Sequence, residues 1–121
     1  METPKVFESE FRFCEILWEN EPVKSSELVR LCRDILGWKQ STAYTVIKRL
    51  SQRGVLVNEN SVVRSLVSRQ QVQKAEIDEL IDRRFKGSIP SFLAAFTQGQ
   101  ALGKEDLDEI QNMIVTIRKG N

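Results

Sequence analysis

The sequence contains no histidine and only two cysteines. Histidine is the commonest general base in enzymes and the commonest protein ligand of transition metals, so its absence removes the usual means of acid–base catalysis and metal binding. Cys14 and Cys32 are too few to hold a metal ion by themselves. We therefore expect a protein that is not an enzyme and that has no metal site and no cofactor.

Long apolar runs and a targeting segment are also missing. No run of 18 apolar residues is present, so we expect no membrane association through a spanning helix. The residues up to Phe11 carry Glu2, Glu8 and Glu10 and lack the apolar core of a secretory signal. These absences predict a cytoplasmic protein with free thiols. Both cysteines fall on apolar stripes, so we interpret them as core residues, with a thiol sensor as the alternative.

An excess of charge of one sign is missing as well, because 18 basic residues face 17 acidic ones. The distribution is nevertheless uneven. Residues 2–21 carry six acids and two bases, whereas residues 37–58 carry no acid. The bases of that second stretch are Lys39, Lys48, Arg49 and Arg53. A positive stretch of this kind suits a polyanion such as the DNA backbone.

What the sequence does contain is a regular series of apolar stripes and breaks. Leu, Ile, Val and Phe make up 37 of the 121 residues, which is enough for a folded chain. Their spacing, together with the helix breakers, predicts helices over about 8–20, 25–36, 40–52, 69–86, 88–97 and 104–119. Two β-rich runs, Val55–Val57 and Val62–Val67, flank a turn at 58–61 and predict a hairpin.

Three helices followed by a two-stranded hairpin are typical of the winged form of the helix-turn-helix motif. We therefore predict a mainly α protein. A winged-helix DNA-binding domain covers residues 1–68, and a helical dimerisation domain of three helices covers residues 69–121.

The third predicted helix has one apolar and one polar face. On a helical wheel Ala43, Val46, Ile47 and Leu50 lie together, and Ser41, Thr45, Lys48 and Gln52 lie opposite. Tyr44 and Arg49 flank the polar face, which carries no carboxylate. Such a face can contact base edges and phosphates in a major groove, the alternative being an ordinary solvated face.

The predicted C-terminal helices carry more large apolar residues than three short helices can hide. We expect these residues to form a homodimer interface, because a second copy would bury them. They are Phe85, Ile89, Phe92, Leu93, Phe96, Leu107, Ile110, Ile114 and Ile117. A symmetric dimer predicts an operator with two half-sites that lie about one or two helical turns apart.

Six short stretches, in order along the chain, resemble the penicillinase repressor family of transcriptional repressors. They are Ile16–Val23 (ILWENEPV), Gly37–Thr42 (GWKQST), Arg49–Leu50 with Arg53–Gly54, Ser65–Ser68 (SLVS), Arg84–Ser88 (RFKGS) and the closing helix, Leu107–Ile117. Single stretches are weak signals, whereas the ordered set spans nearly the whole chain.

The resemblance implies a dimeric winged-helix repressor that leaves its operator on an inducing signal. In one branch of the family a sensor protease cleaves the dimerisation lobe before a phenylalanine, and that bond maps onto Ala95–Phe96. In another branch a C-terminal cysteine cluster binds metal, but this chain has no cysteine after Cys32. The wing turn also departs from the family pattern, because it carries Glu59 and no base.

The residue types and the resemblance together predict a DNA-binding site. Residues expected to face bases are Ser41, Thr42, Thr45 and Lys48, and residues expected to hold phosphates are Lys39, Tyr44, Arg49 and Arg53. Gln40 stands where the family has proline and can donate a hydrogen bond. Arg64 is the basic residue nearest the wing turn. The expected partner is double-stranded operator DNA. The alternative function is a winged-helix adaptor that binds another protein and no DNA.

Overall fold

The computed structural model describes residues 2–98 and 102–120. The helices and strands, in chain order, are α1 (Glu8–Asn20), β1 (Val23–Lys24), α2 (Ser25–Leu36), α3 (Gln40–Arg53), β2 (Leu56–Glu59), β3 (Val62–Ser65), α4 (Arg69–Phe85), α5 (Ile89–Thr97) and α6 (Lys104–Gly120). This order confirms the predicted mainly α winged-helix fold. The chain divides into two compact units, which meet within α4 between Glu79 and Leu80. The division into a DNA-binding domain up to Ser68 and a dimerisation domain after it stays a prediction.

A three-stranded antiparallel sheet forms the wing, in the order β1-β3-β2. The predicted four-residue turn is too long, because β2 continues through Glu59, which pairs with Val62. Only Asn60 and Ser61 form the turn, with φ of 52° and 63°. Two successive positive φ angles match the twist of a hairpin, and asparagine tolerates this conformation well. The wing is therefore short and tightly closed.

The core of the first unit lies between α1, α2, α3 and the sheet. Its largest fully buried side chains include Phe13, Leu17, Leu28, Leu50 and Leu56. The four residues predicted for the inner face of α3 are all buried, which confirms the helical wheel. In α3 the apolar period therefore points toward the core, as expected.

Both cysteines are buried free thiols in this core. Burial raises the pKa of Cys14 to about 12 and that of Cys32 to about 11. A thiol is nucleophilic only as the thiolate, so both groups are inert at neutral pH. The interpretation as core residues is confirmed.

Long-range contacts from the C-terminal end of α1 hold the segment where the chain leaves β3. The indole Nε1 of Trp18 donates to the carbonyl oxygen of Val67 at 2.9 Å. The Glu21 carboxylate accepts hydrogen bonds from the backbone N–H and the hydroxyl of Ser65 at 2.7 and 2.8 Å. The first α-helix thus holds the exit from the wing.

The second unit, from Leu80 onward, has a mostly exposed apolar surface. None of the described residues of α5 and α6 is buried. Phe92 contacts both Phe85 and Phe96, with ring centroids 5.5 and 6.2 Å apart. The other residues predicted for the dimer interface are all exposed. Among the described residues, no helix is long and apolar enough to cross a membrane.

Candidate nucleic-acid interface

The outer face of α3 is polar, exposed and free of acids. Ser41, Thr42, Tyr44, Thr45, Lys48 and Arg49 are all exposed, as are Lys39 and Gln40 at the start of the helix. The hydroxyl of Thr45 donates to the carbonyl oxygen of Ser41 at 2.8 Å, so its lone pairs remain available as acceptors. The structure therefore places nine of the ten predicted DNA-binding residues on α3 and its N-cap. Eight of them are exposed, and the ninth, Arg53, is half-buried at the end of the helix.

Glycine residues end both α2, the helix before α3, and α3 itself. Gly37 ends α2 with a φ of 71°, and Gly54 ends α3 with a φ of 84°. Both lie in the left-handed region, where a side chain costs free energy and glycine does not. Only Gly37, Trp38 and Lys39 separate the two helices, which gives the compact connection of a helix-turn-helix.

The basic residues around α3 differ in how they are engaged. Within the described parts of the chain, Lys39 and Lys48 form no ion pair, and Arg49 is exposed. Arg53, by contrast, binds Glu10 through two hydrogen bonds of 2.8 and 2.6 Å. The exposed positive charge of α3 is therefore concentrated before its last turn.

Glu10 is a buried acid that sequence reasoning did not connect with this surface. Burial raises its pKa, but hydrogen bonds from Arg53 and from the backbone of Phe7, with the positive charges of Arg53 and Arg49, outweigh that effect. The resulting pKa of Glu10 lies below its usual value, so the carboxylate is charged at neutral pH. The only signal in the sequence was local. Glu10 lies three residues after Phe7, the position from which a glutamate side chain accepts a hydrogen bond from the backbone N–H of the residue that precedes the helix.

The wing presents charges of both signs. Arg64, the predicted wing contact, is exposed and lies 4.0 Å from Glu59, at the limit of an ion pair. Lys24 and Glu59 pair with Val62 from the two sides of β3. Lys24 was missed as a candidate because its position beside the wing depends on β1 joining the sheet.

Metal binding by the described residues would need several donor side chains that lie close together. No group of three or more Cys, Asp and Glu side chains there could hold a metal ion.

Comparisons with known proteins agree with this architecture. The model of the penicillinase repressor family matches residues 7–116. The chain is 20% identical over 116 residues to the methicillin resistance regulatory protein MecI of Staphylococcus aureus strain N315, covering 93% of this chain and 94% of the relative. A second MecI from Staphylococcus aureus gives the same values.

A solved structure supports the fold of the first unit. The solution structure of the DNA binding domain of the repressor BlaI superposes with a TM-score of 0.50 at 18% identity. It covers 59% of this chain and 93% of that domain. At this identity the likeness shows the winged-helix fold alone. Since the family model spans most of the sequence, the chain belongs to the penicillinase repressor family, whose members are DNA-binding transcriptional regulators and not enzymes.

Proposed function

We propose that the protein is a cytoplasmic repressor that binds a two-fold operator as a homodimer, with α3 in the major groove. The observation that carries this proposal is the exposed, acid-free outer face of α3. Ser41, Thr42, Thr45 and Lys48 would contact base edges, and Lys39, Tyr44 and Arg49 would contact phosphates. Gln40 and Arg64 extend the same surface at the helix start and the wing.

The homodimer is supported by the exposed apolar side chains of the second unit. In a single chain Ile89 and Ile117 are 59% and 61% exposed, and Phe96 is 52% exposed. A monomer would leave more than half of each of these side chains in water, whereas a second copy would bury them. Complete burial of such a side chain is worth about 1.5–3 kcal/mol, and the gain here is the share that corresponds to the exposed part. Two recognition helices related by a two-fold axis would then read the two half-sites of the operator.

Substitution of Lys48 by alanine tests the DNA-binding surface. We expect the affinity for the DNA upstream of the chain's own gene to fall at least about tenfold, because each dimer loses two contacts from α3. The dependence of binding on salt should also weaken, because loss of a positive charge from the interface reduces the number of counterions that binding releases. Gel shifts at several salt concentrations measure both effects.

Lys74→Ala is the matched control, because Lys74 is an exposed lysine on α4 that already pairs with Asp78. Its affinity for DNA should equal that of the unaltered protein. Salt-insensitive binding, or equal binding to unrelated DNA, would contradict the proposal. It would favour the adaptor function, in which the outer face of α3 contacts a protein.

Release of the operator by proteolysis is the second part of the proposal and rests on the family resemblance. The bond between Ala95 and Phe96 lies inside α5, which has no buried residue to hold it closed. In a protomer whose partner has dissociated, local opening of such a helix costs little free energy, and an opened segment can enter a protease. Cleavage would separate α6 from the rest of the chain and remove its apolar residues from the dimer.

Co-expression with a candidate membrane-bound sensor protease tests this step. After addition of inducer we expect two fragments, ending at Ala95 and beginning at Phe96, by mass spectrometry. Loss of operator occupancy should follow the appearance of the fragments. An intact chain that still leaves the operator would exclude cleavage as the release step.

A further inference from the structure

The N-terminal segment lies against the last turn of α3. Val6 is buried, which anchors the segment in the core. Glu10 has a side chain only 4% exposed, and its carboxylate accepts two hydrogen bonds from Arg53, the last residue of α3. The paired fork of a guanidinium on a carboxylate fixes both position and orientation.

Arg53 is surrounded by the same segment on its other sides. Its Nη1 also donates to the backbone carbonyl oxygen of Lys5 at 2.9 Å. The ring of Phe7 lies under the guanidinium, with its centroid 4.9 Å from Cζ. Three of the five N–H donors of Arg53 are thus used within the protein, and its side chain is 26% exposed. Little of this cation is left for a phosphate.

The contacts of Arg53 connect α3 to the start of α1. Lys48 and Arg49 lie about one turn before Arg53, so any motion of the helix end moves them too. Helix ends fray unless other groups hold them. Recognition of base edges needs side chains placed within about half an ångström, which a frayed helix does not provide.

We propose that Arg53 is a positioning residue of the DNA-reading helix and not a phosphate ligand. It is held by a clasp that consists of Lys5, Phe7 and Glu10. This inference rests on the proposed function, because the orientation of α3 matters only where α3 reads DNA. It differs from the assignment of Arg53 made from the sequence, where only its charge and its place in a basic stretch were available.

Glu10→Gln gives a test in which the two explanations predict opposite signs. Removing an acid near DNA strengthens binding if only net charge matters. Loss of the clasp instead weakens binding, and we expect about a tenfold loss of operator affinity. Glu8→Gln is the matched control, since Glu8 is an exposed acid on the same first turn and should leave the affinity unchanged or slightly raised.

The salt dependence of binding separates a positioning residue from a phosphate ligand. The basic residues on and beside α3 are Lys39, Lys48, Arg49 and Arg53, and if all four neutralise phosphate charge a dimer has eight such cations and a slope of log K against log salt of about −7. Without Arg53 six of these cations remain in the dimer, and the slope is about −5. Arg53→Gln should therefore lower affinity at every salt concentration with an unchanged slope. Arg49→Gln, the matched control on the same helix, should reduce the slope by about 2.

Arg53→Lys covers the case in which Arg53→Gln does not fold. Lysine keeps the charge and serves a phosphate well, but it cannot form the fork on Glu10. We expect several-fold weaker binding with an unchanged slope. The double variant Glu10→Gln, Arg53→Gln should lose no more affinity than Arg53→Gln alone, because both changes remove one interaction.

All affinities are compared at a temperature where circular dichroism shows every variant fully folded. Hydrogen exchange gives an independent readout at the amides of Gly54 and Val55, which donate to Ser51 and Leu50. In Glu10→Gln these amides should exchange faster while those of α2 do not. A reduced slope in Arg53→Gln, or unchanged affinity in Glu10→Gln, would overturn the positioning role alone. Absence of specific binding by the unaltered protein would overturn the proposed function and the positioning role with it.

Discussion

Replacement of Ile110 and Ile114 by glutamate is expected to weaken binding to a two-half-site operator by about 100-fold or more. The two side chains lie one helical turn apart on α6, on the same face, and are 36% and 50% exposed in a single chain. In the proposed dimer they are buried, and a charge at a buried position costs several kcal/mol unless it is paired. The protein should become monomeric, and the second half-site would no longer be contacted at high effective concentration.

Sedimentation equilibrium measures the oligomeric state, and gel shifts with one or two half-sites measure the affinity. The single half-site should bind the variant as well as the unaltered protein, since α3 is unchanged. The matched control is Asn112→Glu with Thr116→Glu, which puts the same two charges at the same spacing on the opposite face of α6. A control that dissociates equally, or an unaltered protein that is monomeric at micromolar concentration, would contradict the dimer interface.

Phe13→Ala is expected to destabilise the winged helix by about 3–5 kcal/mol. Phe13 is fully buried, and its ring stacks on that of Trp38 with centroids 6.0 Å apart and planes 4° apart. Trp38 lies just before α3, so this ring pair joins the core to the start of the helix proposed to read DNA. Small domains are stable by only about 5–15 kcal/mol, so this one change removes a large share of the total.

Urea denaturation followed by tryptophan fluorescence measures this loss, because Trp18 and Trp38 both pack against the core and become exposed to solvent on unfolding. Tyr44→Ala is the control. Tyr44 is an aromatic residue of the same unit but lies on the outer face of α3. Its removal should cost less than about 1 kcal/mol of stability and should weaken DNA binding instead. Equal destabilisation by the two variants would contradict the assignment of Phe13 to the core.

The sequence was sufficient to locate the helices because helix formation depends on neighbours three and four residues away. The apolar period gave α1 its observed bounds, Glu8–Asn20, and placed the buried side of α3 correctly. Glycine marked the ends of α2 and α3, where the left-handed conformation is required. The acid-free outer face of α3 followed from the same period and needed no coordinates.

The family assignment also came from the order of short motifs along the chain. The details of the wing did not, because pairing shortened its turn to Asn60 and Ser61 and brought Lys24 alongside β3. Strand pairing depends on partners that are distant in sequence, so local residue preferences fix its extent poorly. The presence of the hairpin was therefore predictable, but the register in which its strands pair was not.

Only the tertiary structure decided which charges are available to a partner. In the sequence Arg53 and Arg49 are equivalent, because both are basic residues on one acid-free helix. Packing places Glu10, 43 residues away, against Arg53 and leaves Arg49 exposed. The physical reason is that periodicity assigns a side chain to one face of its own helix, whereas an ion pair depends on which other element is packed there. The sequence by itself determined the helices, the buried face of α3 and the family, and the contact of Glu10 in α1 with Arg53 in α3 determined which basic residues of α3 remain exposed.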